Sequence, residues 1–179
     1  MAKILNYPHP SLRQKAQAVT KFDQNLIKLV EELNASLIPN PHEPVGVGLA
    51  ANQIGILKRV FLMTLPDKSI QAIINPEIIK AYPKTLSQLP EDQQFMEGCL
   101  SFLGYYGFVD RPIKIKVRYQ TISGQVKEQI LVKPFSSYFQ HERDHLDGIL
   151  FIDYLKQSRG KIYKADKKTG KLKAVKNPF

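Results

Sequence analysis

The 179-residue sequence predicts an α+β fold in which antiparallel strands pack around a buried helix near its C-terminal end. Three observations carry that prediction. Short apolar runs are separated by turn residues, two longer segments show helical apolar spacing, and the strand runs are gathered together instead of alternating with helices, which argues against a parallel βαβ sheet.

Residues 23–38 read as an amphipathic helix, because Leu26, Leu29, Val30, Leu33 and Leu37 recur at helical spacing and Pro39 stops the run. A small-residue segment follows over 45–55. Residues 59–65 and 69–74 then read as two short strands around Pro66-Asp67-Lys68, and 76–82 as a further strand. Residues 113–119 and 125–132 flank Ser123-Gly124, which is the turn chemistry of a hairpin. Residues 134–147 form the second predicted helix, of about four turns, with Pro134 suited to its first turn and Gly148 to its stop. Phe135, Tyr138, Phe139 and Leu146 make its apolar face. Glu142 lies four residues from both Tyr138 and Leu146, so this helix carries a carboxylate into the core.

Apolar residues make up 43% of the chain and charged residues 23%, which excludes a disordered or fibrous chain. No run approaches the ~18 consecutive apolar residues of a membrane helix, so no membrane partner is expected. The opening residues lack the apolar stretch of a secretory signal, which predicts a cytoplasmic chain, or the mature form of one in an organellar matrix. A single cysteine, Cys99, forbids an intramolecular disulfide and suits a reducing compartment. The net charge of +10 is uneven: residues 156–179 carry nine Lys and Arg against Asp166 alone. The chain therefore divides into a body over 1–155 and a basic C-terminal tail over 156–179, a polycation able to bind an anionic surface such as RNA or simply to stay solvated.

His141-Glu142-Arg143-Asp144-His145 is an HExxH sequence within the second helix. Its imidazoles project from one helical face and can share a metal ion, with the glutamate beside the metal-bound water. Two surface histidines on an ordinary helix would not have these apolar flanks. A catalytic site wants a third ligand, yet Phe151 occupies the position of a third histidine six residues on, no glutamate follows Glu142, and His9 and His42 sit in proline-flanked loops. Cys99, in Glu97-Gly98-Cys99-Leu100-Ser101, is the remaining soft ligand; alone it would read as a small core residue. In the cluster 46–53, Gly46, Val47 and Gly48 permit close approach of another backbone and Gln53 brings an amide, while the spacing fits no phosphate loop.

Taken together and in order, residues 46–53, 97–101 and 140–145 resemble the three signature motifs of the peptide deformylases, and the resemblance extends over about residues 3–155. It implies a mononuclear metal hydrolase, usually holding Fe2+, that takes the formyl group from the formylmethionyl end of new polypeptides; a monomer is expected. Zn2+, Ni2+ or Co2+ also suit such a donor set. By the same resemblance Cys99, His141 and His145 hold the metal and Glu142 is general base and acid. Gln53 and the backbone amide of Leu100 stabilise the oxyanion, and Glu97 with Arg111 forms a supporting charged pair. Gly46, Val47, Gly48 and Gly98 border the peptide and its methionine pocket. After Ser101 the family usually has a small aliphatic residue and proline where this chain has Phe102-Leu103, and before Gln140 it usually has smaller or aliphatic residues where Ser136, Ser137 and Tyr138 occur, so Phe102 and Tyr138 are expected at the substrate. The basic tail then has a partner in ribosomal RNA. A divergent metal amidase or peptidase on the same scaffold, and a non-catalytic ribosome-binding paralogue, are the alternatives.

Overall fold

The computed structural model describes residues 2–37, 46–65, 67, 69–166 and 169–179. Helix α1 spans Gln24–Leu37 and begins where the Asp23 carboxylate accepts the N–H groups of Asn25 and Leu26 at 3.0 and 3.3 Å. The proline stop expected at Pro39 lies outside the described residues, as does His42. Leu26, Leu29, Leu33 and Leu37 form its buried stripe, as their spacing requires.

Strands β1 (Gly48–Ala50), β2 (Val60–Thr64) and β3 (Ile70–Ala81) follow. The two strands expected on either side of Asn75 are one bent strand. Asn75 sits at φ +50°, and its side chain takes over the lost ladder bonds. Its Oδ1 accepts the Val19 N–H at 2.8 Å, and its Nδ2 donates to the Val19 carbonyl at 2.8 Å and to Gln120 Oε1 at 2.7 Å. Register against the next strand shifts between Ile74 and Glu77, the kind of bulge that tolerates Pro76 in a strand interior.

The chain continues through β4 (Glu97–Gly98), β5 (Tyr105–Gly107), β6 (Lys114–Gln120), β7 (Val126–Val132) and helices α2 (Phe135–Leu146) and α3 (Phe151–Ser158). Strands β8 (Ile162–Ala165) and β9 (Leu172–Val175) complete it. The β6–β7 hairpin and α2 stand where the sequence predicts them. The basic segment from Lys156, expected as a tail, instead finishes α3 and then folds as a hairpin whose β8 pairs with β5. Among the described residues of that hairpin only Ile162 is buried, so its lysine-rich strands lack the apolar alternation that marks a strand in sequence.

Two antiparallel sheets result, ordered β1-β2-β3-β6-β7 and β4-β5-β8-β9. Alternate residues of β2 face opposite ways. Phe61 and Met63 pack with Phe139 and Leu146 of α2, while Val60 and Leu62 pack with the leucines of α1. A third core joins Phe151, Ile152 and Leu155 of α3 to Leu12, Phe102 and Ile162. Helix α2 is thus held between one face of the first sheet and the second sheet's leading strand.

The start of the chain is laced onto the end of α2 and onto α3. The Ala16 N–H donates to the Leu146 carbonyl at 2.8 Å, and Arg13 grips Asp153 at 2.5 and 3.0 Å. Gly148, at φ +73°, is the predicted stop, and a Cβ there would lie 2.5 Å from the Arg13 carbonyl oxygen. Burial alone would raise the Asp153 pKa, but Arg13 and the Leu150 N–H hold it below the ordinary carboxylate value. A depressed folded-state pKa stabilises the protein above the unfolded value of about 4 and loses that contribution as pH falls through the folded value. Asp153→Ala is therefore expected to lower the melting temperature at pH 7 by about 2–4 °C, through loss of a helix cap and a partly exposed ion pair. In thermal melts across pH, the gap from the unaltered protein should narrow towards pH ~3.

Candidate metal centre

Three elements meet at the site. Helix α2, fixed to the first sheet through Phe139 and Leu146, turns His141, Glu142 and His145 away from that core, with the imidazole centroids 5.0 Å apart. Strand β4 supplies Glu97 and leads into the turn bearing Cys99, and the short turn after β1 supplies Gln53. One ligand atom each from Cys99, His141 and His145 lies within 4.8 Å of the others, and this is the one such group of three among the described residues. Cys99 Sγ is 3.3 Å from His145 Nε2.

A buried chain of charge stands behind these residues. Glu97 Oε2 meets His141 Nδ1 at 3.0 Å, which fixes the proton there and leaves Nε2 to act as a ligand. Arg111 donates from Nε to Glu97 Oε1, from Nη2 to Glu97 Oε2 at 3.0 Å and from Nη1 to Asp144 Oδ2 at 2.7 Å. Tyr154 donates its hydroxyl to the same Asp144 oxygen at 3.0 Å. The sequence reading found the Glu97–Arg111 pair and missed Asp144 and Tyr154. The signal for Asp144 was the one that marked Glu142, an acid in an apolar-flanked helical turn.

The electrostatics favour positive charge in front of His141. Burial opposes it, but Cys99 and Glu97 raise the His141 pKa well above the usual imidazole value. His145 is pushed well below by burial, with the charges of His141 and Arg111 adding to the effect. Burial lifts Glu142 to about 7; the Glu97 charge adds to this, and His141 and Arg111 oppose it. Glu142 Oε2 and His145 Nδ1 are buried with no hydrogen-bond partner among the described residues.

Gln53 is oriented by its neighbours. Its Oε1 accepts the Ala50 N–H at 2.8 Å, so its Nε2 faces Ser101 Oγ at 3.1 Å and Cys99 Sγ at 3.6 Å. Asn52 donates to the His145 carbonyl. Gly48 lies hard against the acid, since a Cβ there would sit 2.6–2.8 Å from three atoms of the Glu142 side chain.

The site opens into a cleft of about 520 Å³. Of the residues singled out in the sequence, Gly46, Val47, Gly48 and Gln53 line one wall, Glu97, Gly98, Cys99 and Leu100 another, and Tyr138, His141 and Glu142 a third. His145 and Arg111 are buried behind them. Phe102 is not on the cleft: it packs in the third core against Tyr7 and Phe151 with ring centroids 5.1 and 5.4 Å away. Its neighbour Leu103 lines the cleft instead, as does Ser137; Phe95, Met96, Tyr105 and Tyr106 also line it, and no motif marks these four.

The profile of the polypeptide deformylase family matches residues 1–161. The peptide deformylase of Phenylobacterium zucineum is 40% identical over 173 residues, covering 94% of this chain and 95% of its own. The chain belongs to the peptide deformylase family. Among solved structures, the Thermotoga maritima peptide deformylase superposes with a TM-score of 0.76 at 40% identity, over 86% of this chain and 97% of that one. A Plasmodium falciparum peptide deformylase in complex with an inhibitor superposes with a TM-score of 0.74 at 37% identity, over 87% and 90%. Deformylases of this family are metal-dependent hydrolases, and the residues present fit such an ion: a thiolate and two imidazoles converge, and an unpartnered buried carboxylate stands beside them.

The support given by Glu97 is expected to be measurable without catalysis. Glu97→Gln keeps the shape of the pair but removes the charge behind His141, and chelator competition should show metal affinity lowered about 10- to 100-fold.

Proposed function

We propose that this deformylase hydrolyses the N-formyl group of formylmethionyl peptides at an ion held by Cys99, His141 and His145, with Glu142 moving the proton. The observation that carries this reading is the convergence of the Glu142 carboxylate and the Gln53 amide on the Cys-His-His group within one cleft. The bound ion supplies Lewis acidity to the attacking water and the formyl carbonyl. Glu142 accepts the proton of that water and returns it to the departing amine, a double duty suited to a carboxyl whose pKa lies near neutrality. Negative charge grows on the formyl oxygen as the water adds, and Gln53 Nε2 with the Leu100 backbone N–H would donate to it from a dry, preset position. Gly46, Val47, Gly48 and Gly98 would receive the peptide backbone, and Tyr138 would border the first side chain. The donor set suits Fe2+, Zn2+, Co2+ or Ni2+, and we take Fe2+ as the native ion from the family resemblance.

Residues 1–155 would form the catalytic unit, and 156–179 a basic appendage. Lys164, Lys171 and Lys173 are exposed on or beside the hairpin of β8 and β9, a surface suited to ribosomal RNA, where the substrate ends emerge. No helix among the described residues is long and apolar enough to cross a membrane. We place the protein in the cytoplasm, or an organellar matrix, as a monomer.

Anaerobic formate release from formyl-Met peptides tests the reading. Glu142→Ala should lower kcat by about 10²- to 10⁴-fold while metal stoichiometry stays unchanged. Gly48→Ala, which displaces the same carboxylate without touching a ligand, should lower kcat by about 10²-fold. Replacing Lys164, Lys171 and Lys173 with Ala should weaken ribosome co-sedimentation and flatten its log–log salt dependence by about 2 units.

A further inference from the structure

The cleft is apolar along most of its wall, with Val47, Phe95, Met96, Leu100 and Leu103 among its lining residues. Ser137 interrupts that surface. It lies on the α2 face that also presents Tyr138, His141 and Glu142 to the cleft, one turn before His141. It is 1% exposed, and its hydroxyl has no hydrogen-bond partner among the described residues. A helical serine normally returns its hydroxyl to a carbonyl three or four residues back. Here the nearest such carbonyl, that of Pro134, already accepts the N–H groups of Ser137 at 3.0 Å and Tyr138 at 3.1 Å. A buried hydroxyl with nothing to bond is uncommon and costly, and it is relieved by any acceptor that enters the same space.

The reaction places such an acceptor within reach. The scissile formamide must lie at Cys99, His141 and Glu142, so the first side chain of the peptide leaves the reacting centre along the cleft wall. One helical turn along α2 is 5.4 Å, and the sulfur of methionine stands three bonds from its Cα, so the two advance together. We propose that Ser137 is a specificity-determining residue, whose hydroxyl donates a hydrogen bond to an acceptor atom at the δ position of the substrate's first side chain. This rests on the deformylase reading above and adds to it a preference for thioether and ether side chains over hydrocarbon ones of the same shape.

Three formyl peptides that differ in one atom decide it: methionine, norleucine with a methylene in place of sulfur, and O-methylhomoserine with an ether oxygen. A purely apolar pocket ranks norleucine at or above methionine and the ether last. With Ser137 donating, kcat/KM should favour methionine over norleucine by about 3- to 10-fold, the range of one neutral hydrogen bond, and should lift the ether at least level with norleucine. The difference should lie in KM, because the side chain takes no part in bond breaking. Ser137→Ala should bring the kcat/KM values of methionine and norleucine together. Ser136→Ala, which removes a second buried hydroxyl that does not line the cleft, should keep the preference. Equal values for methionine and norleucine with the unaltered enzyme, or a preference that survives Ser137→Ala, overturn the inference while deformylation stands. Absence of formate from all three peptides with every metal overturns the deformylase reading and this inference with it.

Discussion

A guanidinium buried in a protein interior must find carboxylates, and Arg111 finds two on separate elements, Glu97 at the start of the second sheet and Asp144 in α2. The apolar cores on either side supply most of the cohesion, but such contacts are indifferent to direction. A forked guanidinium with two carboxylates is not, and losing one partner would strand the other charge away from water. The pairing therefore sets the distance between the strand that leads to Cys99 and the helix that carries His141 and His145. The Glu97 oxygen that completes the pair also meets His141 Nδ1, so the constraint reaches the imidazole itself. The low polarity that makes this arrangement demanding also lifts the Glu142 pKa to about 7.

Sequence alone carried the chemistry further than the topology. The HExxH helix was legible because one helical turn converts residue spacing directly into neighbouring side chains, and the Ser123-Gly124 hairpin because its turn chemistry is local. Cys99 and Gln53 became legible once the family motifs were matched in order. What failed depended on partners far along the chain. The strand broken in reading at Asn75 is continuous because the Asn75 side chain finds Val19 and Gln120, which spacing does not reveal. The lysine-rich hairpin of β8 and β9 became strands by pairing with β5, with almost no buried face of its own. Phe102 was expected at the substrate from its place in a motif, but the turn after Cys99 sends it into the third core and leaves Leu103 on the cleft. Ser137 was legible only as a departure from the residues usual before Gln140; that its buried hydroxyl lacks a partner among the described residues depends on the packing around α2.

The hairpin of β8 and β9 also changes how the second sheet is built. Without it, the two residues of β4 and the three of β5 would be a short ribbon beside the ligand-bearing turn. With it, β5 has a partner on each side, and Lys164 lies over the Tyr105 ring at 5.1 Å. The outer strand β9 carries Lys173 at its centre, and a charged edge discourages pairing with another chain. A segment that composition marks as a polyelectrolyte thus also buttresses the wall of the active site.

The strap formed by residues 5–17 bears on how the protein comes to be folded. Its backbone bonds reach Gln53 from Leu5, Ser101 from Tyr7 and Leu146 from Ala16, and Arg13 reaches Asp153. This segment is thus completed in part by residues made much later, Leu146 and Asp153. Closing such long loops carries an entropic cost before any contact rewards it, so these contacts are expected to form late. Because the strap also holds the backbones of Gln53 and Ser101, the residues around the Cys99 sulfur depend for their positions on a segment that contributes no side chain to the chemistry.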